Sequence, residues 1–160
     1  MKVLLVFYSQ LLEESDLIQK VSEKVNLLKK LIGPDSLYAT ITTEMKDFLD
    51  KFPDLVFIRN DRGTFIYGLY KGLRKLRGND VLVIDPSQVI NLEKLREIIA
   101  KKRKNVLHVF DGRWKGLALF RLIDLDYYIR ALESFLSEEG DMREVMDRVK
   151  VDYGIEYESL

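Results

Sequence analysis

The chain has no cysteine, one histidine, three prolines and one tryptophan in 160 residues. Without thiols, disulfides, thiolate zinc sites and cysteine nucleophiles are excluded. A lone histidine, His108, excludes multi-histidine metal centres. An excess charge of either sign is also missing, because 26 Lys and Arg balance 26 Asp and Glu. Zero net charge removes the global field that would draw in nucleic acid or an anionic membrane, so neither partner is expected, while local patches remain open. No apolar run is long enough to cross a bilayer. The opening Met1-Lys2-Val3-Leu4-Leu5-Val6-Phe7 also lacks a small-residue cleavage pattern. It reads as a buried first strand, and a cytoplasmic location is expected. High Lys and Glu without Cys leans toward a thermophilic source.

What is present is alternation. Apolar residues are 47% of the chain, and its length suits a single domain spanning 1–160. Strand-like and helix-like hydrophobic periods follow one another throughout. Val3 to Tyr8 reads as a strand. Ser15 is a candidate cap for a helix with Leu17, Ile18, Val21, Val25, Leu28 and Leu31 on one face, stopped by Gly33-Pro34. Leu37 to Ile41 is a short strand. Thr42 or Thr43 then caps a short helix that runs to about Phe52. Leu55 to Ile58 is a third strand, and Gly63-Thr64 opens a helix whose face is Phe65, Ile66, Leu69, Tyr70, Leu73 and Leu76. Val81 to Ile84 is a run of aliphatic residues, which predicts a central strand buried on both faces. Asn91 caps the next helix, and Lys101 to Lys104 suit its C-terminal dipole as a solvated basic end. Asp111-Gly112 lies between Val106–Phe110 and Trp114–Leu122, a strong hairpin signal. Asp124 and Asp141 are candidate caps for two further helices, the second with Glu144 as a capping-box partner, and Tyr153 to Tyr157 is a candidate edge strand. The predicted order β-α-β-α-β-α-β-α-β-β-α-α-β makes a three-layer α/β/α sandwich with a mostly parallel mixed sheet.

The most informative stretch runs from Arg59 to Val89. Gly63-Thr64, Gly68-Leu69, Leu73, Leu76-Arg77-Gly78-Asn79-Asp80, Val81-Leu82-Val83-Ile84 and the later Gly116-Leu117-Ala118-Leu119-Phe120-Arg121 resemble elements of the nucleotidyltransferases of the glycosyltransferase-A type. These include molybdenum-cofactor guanylyltransferases, sugar-phosphate nucleotidyltransferases and cytidylyltransferases. The resemblance implies a nucleotide-diphospho-sugar transferase-like fold and, in an active member, Mg²⁺. It also implies a glycine-rich loop after the first strand and a metal-binding aspartate after the Val81–Ile84 strand. The chain departs from both implications. Its first loop is Tyr8-Ser9-Gln10-Leu11-Leu12-Glu13-Glu14-Ser15-Asp16, with no glycine or cation and with carboxylates where a triphosphate would lie. The aspartate position falls on Ser87, a neutral hydroxyl and a poor ligand for a hard cation, with Asp85 two residues earlier.

The candidate ligand-binding residues are therefore Arg59, Arg62, Gly63, Thr64, Asp85 and Ser87, with no catalytic or metal-binding residue assigned and no cofactor expected. Arg59 and Arg62 beside a helix start are the pattern of an anion site, and equally of a plain N-cap with surface arginines. Asp85-Pro86-Ser87 reads as a turn lining a cleft. His108 in a strand, with no nucleophile motif beside it, reads as structural. Tyr127-Tyr128 and Tyr153 with Tyr157 read as partly exposed core edges or as an interface patch. Four functions fit: a degenerate nucleotidyltransferase relative without activity; a binding or regulatory module acting as a homodimer or on a protein partner; a metal-independent binder of a phosphate, nucleotide or sugar phosphate; and a nucleotidyltransferase with an unconventional site. A flavodoxin-like fold is the structural rival, but the first loop lacks the Ser/Thr/Gly/Asn cluster that would hold a flavin phosphate.

Overall fold

A computed structural model describes residues 1–13, 15–101, 103–137 and 140–160, with side chains for all of these except Glu13, Lys46, Phe48 and Leu49. Its strands are β1 (Lys2–Val6), β2 (Leu37–Ile41), β3 (Val56–Arg59), β4 (Val81–Ile84), β5 (Val106–Phe110), β6 (Arg113–Phe120) and β7 (Glu158–Ser159). The α-helices are α1 (Leu17–Leu31), α2 (Lys46–Lys51), α3 (Phe65–Lys75), α4 (Leu92–Ala100), α5 (Leu125–Glu133) and α6 (Met142–Tyr153). Their order is the one the hydrophobic periods predict. The strands form a seven-stranded sheet in the order β3-β2-β1-β4-β6-β5-β7. β1 to β4 are mutually parallel, β6 runs antiparallel to both β4 and β5, and β7 lies parallel to β5.

Period-two alternation decides which residues meet which helices. Val3 and Leu5 of β1, with Phe7 just after it, join one apolar cluster with α1 and α4, while Leu4 and Val6 join the other with α3, α5 and α6. β4 splits the same way, and all four of its residues have no exposed surface. Both faces of the central strands are therefore dry, as a continuous aliphatic run requires. Among the described residues no helix is long and apolar enough to cross a membrane.

Several local readings hold and several are corrected. Asp111 (φ 53°) and Gly112 (φ 73°) both adopt the left-handed conformation that a tight hairpin turn needs. Asn91 and Asp141 accept from Lys94 N at 3.1 Å and Glu144 N at 2.9 Å, so both are caps. Ser15 is not a cap, because α1 begins after Asp16, itself left-handed and without a capping bond. Neither Thr42 nor Thr43 caps α2, since a 3₁₀ turn over Thr43–Met45 intervenes. Asp124 precedes α5 but makes no capping bond, because its carboxylate is drawn to Asn105 and Arg121 instead. The final strand lies at Glu158–Ser159, past the Tyr153–Tyr157 stretch, because α6 continues to Tyr153. Tyr128 is fully buried against Phe120 rather than at an edge, whereas Tyr127 and Tyr153 stack at the surface with ring centroids 5.1 Å apart.

α3 lies unusually close to the sheet. A Cβ at Gly72 would stand 2.3 Å from a methyl of Leu4 and 3.0 Å from its Cγ. A Cβ at Gly68 would stand 2.8 Å from Asn60 Nδ2 and 3.0 Å from Val6 Cγ1. Two glycines one helical turn apart thus let the helix backbone rest on β1. Ala is the better helix former by up to about 1 kcal/mol, but overpacking a dry interface costs about 1–3 kcal/mol. Gly72→Ala should therefore lower stability in urea denaturation, by about 1–2 kcal/mol net. A gain in stability would show that α3 is free to lift from the sheet.

Candidate functional site

After β1 the chain proceeds to β2 and β3 on one side, while β4 adds on the other. This reversal leaves a crevice at the carboxyl ends of β1 and β4, where ligands bind in open α/β sheets. A cleft of about 610 Å³ opens there. Its walls include Tyr8 and Ser9 after β1, Arg62 to Phe65 before α3, Asp85 after β4, Trp114 on β6, and Asp141 and Glu144 at the start of α6. Of the candidate residues, Arg62, Gly63, Thr64 and Asp85 come together on this cleft. Ser87 reaches it only as a partner of Asp85, and Arg59 is ion-paired with its neighbour Asp61 away from it.

The loop preceding α3 is tied down from within. Gly63 has φ 71°, and a Cβ there would fall 2.3 Å from Ser9 Oγ, so both conformation and space demand glycine. Ser9 N donates to Gly63 O at 2.8 Å, which pins the first loop onto this turn. Asn60, only 1% exposed, is the knot. Its amide donates to Phe7 O at 3.2 Å and Thr64 O at 2.9 Å, and its Oδ1 accepts from Gly63 N at 3.1 Å. Thr64 Oγ1 accepts from Tyr67 N at 3.2 Å. The Arg62 guanidinium lies 4.6 Å from the Tyr67 ring centre and donates to Leu136 O at 3.4 Å. The Gly63 and Tyr67 amides and the Arg62 fork, which would greet an anion at a helix start, are thus already engaged. A lone Asn after a strand carries no sequence pattern, so nothing local marks Asn60 for this role.

The turn after β4 is equally self-contained. Asp85 is 5% exposed. Its Oδ1 accepts from Ser87 N at 3.0 Å and from Ser87 Oγ at 2.8 Å, while its Oδ2 accepts from Tyr8 OH at 3.3 Å. Lys24 is buried in α1. Burial lowers the Lys24 pKa, and the Asp85 charge opposes that fall, so the two groups feel one another. Lys24 also donates to Lys20 O at 3.4 Å. Its position within an apolar helical face gave no signal for this role.

Both oxygens of Asp85 accept protein hydrogen bonds, and the Lys24 charge lies within its field. Among the described residues no group of three or more carboxylate or histidine side chains converges. Of the acids expected in the first loop, Glu14 and the Glu13 side chain lie outside the described residues, as does Lys102 of the basic run. The cleft has an aromatic wall instead. Tyr8 meets Phe65 edge-on at 5.8 Å, and Phe65 meets Trp114 at 5.4 Å.

His108 lies on β5, away from this cleft. It is 9% exposed, and its Nδ1 has no partner among the described residues. Burial, then Lys94 and Lys115, lower its pKa below the ordinary 6.5. The folded protein thus takes up the proton later than the unfolded chain, and stability falls as pH drops below about 6.5. His108→Gln should flatten that slope. Chemical denaturation at about pH 7.5 and about pH 5 checks this: the midpoint should fall further in the wild type than in the variant.

No family model matches the chain, and no curated protein matches it significantly. Solved structures do. The molybdopterin-guanine dinucleotide biosynthesis protein A of Archaeoglobus fulgidus aligns with a TM-score of 0.64 at 16% identity, over 100% of this chain and 83% of that one. A 4-diphosphocytidyl-2C-methyl-D-erythritol synthase aligns at 0.62 and 13% identity, over 99% and 88%. The CTP:phosphocholine cytidylyltransferase of Streptococcus pneumoniae aligns at 0.62 and 14% identity, over 99% and 89%. Identities this low speak for architecture and leave activity aside. The chain has the α/β fold of the nucleotidyltransferases, of the glycosyltransferase-A type.

Proposed function

We propose that the chain is a nucleotidyltransferase-like domain that performs no nucleotidyl transfer and acts as a binding or regulatory module. The observation that carries this reading is the state of Asp85. In nucleotidyl transfer, positioned cations neutralise charge developing on phosphoryl oxygens. Here the carboxylate best placed to hold such a cation is already bonded to Ser87 and Tyr8. Asp141 and Glu144 add negative charge to the rim, which works against a polyphosphate. The Tyr8, Phe65 and Trp114 rings favour a ligand with a planar or apolar body. Some of the aligned proteins handle guanine or cytosine nucleotides by name. A ring held without its triphosphate is the counterpart that this cleft suits.

A second reading, metal-independent binding of a nucleotide or sugar phosphate, draws on Arg62 and the start of α3, which also line the cleft. As a module, the domain would work through a homodimer or an active protein partner. Ile123, Tyr127 and Tyr153, 67%, 42% and 37% exposed, are candidate contacts for either.

Trp114 is the chain's only tryptophan and lines the cleft, so its fluorescence reports on occupancy. With millimolar Mg²⁺, every NTP and a panel of sugar and alcohol phosphates, no pyrophosphate should be released. Nucleosides should quench Trp114 more strongly than the corresponding triphosphates do. Pyrophosphate release that disappears in Asp85→Asn would overturn the proposal, and tighter binding of mono- or diphosphates than of nucleosides would favour the second reading.

A further inference from the structure

The switch-point cleft is aromatic, and it is also uneven in charge. Its charged lining residues are Arg62 on one side of the balance and Asp85, Asp141 and Glu144 on the other. Arg62 is engaged with groups outside the lining, the Tyr67 ring at 4.6 Å and Leu136 O at 3.4 Å. Asp85 is bonded to Ser87 and Tyr8, and Lys24 lies within its field. Asp141 and Glu144 have no such offset. Asp141 caps α6 through the neutral Glu144 amide, and neither acid has an ion-pair partner among the described residues. The acids do not gather into a metal-binding group among the described residues. What they supply is a field, and a concave site lined by an excess of one sign focuses its field inward.

The rings favour the same sign. Tyr8, Phe65 and Trp114 are all half-buried along the cleft. Phe65 stands between the other two, with its plane at 89° to Tyr8 and 56° to Trp114. The wall they make is therefore bent rather than flat. An aromatic face carries partial negative charge and attracts a cation, more strongly where water is excluded. A flat ring packs on such a wall through its own edges and faces. A flat ring that also carries positive charge is favoured by the wall and by the acidic rim together.

We infer that this cleft selects a small planar organic cation, a heteroaromatic ring with a positive charge and no phosphate. The ring packs against Tyr8, Phe65 and Trp114, and its charge is met by Asp141 and Glu144. The inference rests on the reading that this cleft takes a ring without its triphosphate, and it adds the sign of the charge on that ring.

The test is an amide chemical-shift titration of the full chain with three pyridines of similar shape. These are 1-methylnicotinamide, which is cationic, nicotinamide, which is neutral, and nicotinate, which is anionic. Cytidine and CTP are titrated beside them, all at neutral pH and constant ionic strength. Saturable shifts are expected at residues 8–10, 62–66, 114 and 140–144. The cation should bind at least about threefold tighter than nicotinamide and about tenfold tighter than nicotinate. The double variant Asp141→Asn, Glu144→Gln removes both charges and keeps a competent helix cap, because Asn caps as well as Asp. It should narrow the gap between cation and nicotinamide by at least about threefold. Raised chloride should narrow the same gap in the wild type, with no substitution needed. The inference is overturned if none of the pyridines gives saturable shifts at the cleft, if nicotinamide or nicotinate binds as tightly as the cation, or if the gap survives both the double variant and the salt. In those cases saturable cytidine shifts at the cleft leave the parent reading standing. CTP binding more tightly than cytidine overturns that reading instead.

Discussion

The close seat of α3 on β1 is the constraint on which the rest of the molecule depends. Gly68 and Gly72 remove the side chains that would hold the helix away. With the helix down, Asn60 can bridge Phe7, Gly63 and Thr64 in a single buried amide. That bridge fixes the exit of β1 against the entry of α3, at one wall of the cleft. A buried amide that uses its donors and its acceptor within the backbone rigidifies what it joins.

The same economy appears at Asp85. A carboxylate at a switch point is often the group that recruits something from solution. This one is bonded by its own chain, through a serine two residues on and a tyrosine just after β1. The bonds to Ser87 hold the turn in one shape.

Much of the fold could be read from the chain. The aliphatic run Val81–Ile84 announced a central strand, and the Asp111-Gly112 pair announced the hairpin, because both signals are local and strong. Caps were legible where a side chain had only its own helix to serve, as at Asn91 and Asp141. They failed where a carboxylate had a better partner far along the chain, as Asp124 has in Asn105 and Arg121. The site was half visible. Arg62 to Thr64 and Asp85 stood out through type and position, but Asn60, Lys24 and the Tyr8–Phe65–Trp114 wall depend on contacts between distant segments. No periodicity encodes such contacts.

The sheet ends differently on its two sides. At one border β7 is only two residues long, and the chain beyond it still pairs with β5 through Val109 N to Leu160 O at 2.8 Å. A margin so brief offers a foreign strand little purchase. At the other border β3 presents four residues, including Val56 at 48% exposure. If this molecule ever extends its sheet into a neighbour, the β3 border is where the neighbouring strand would join.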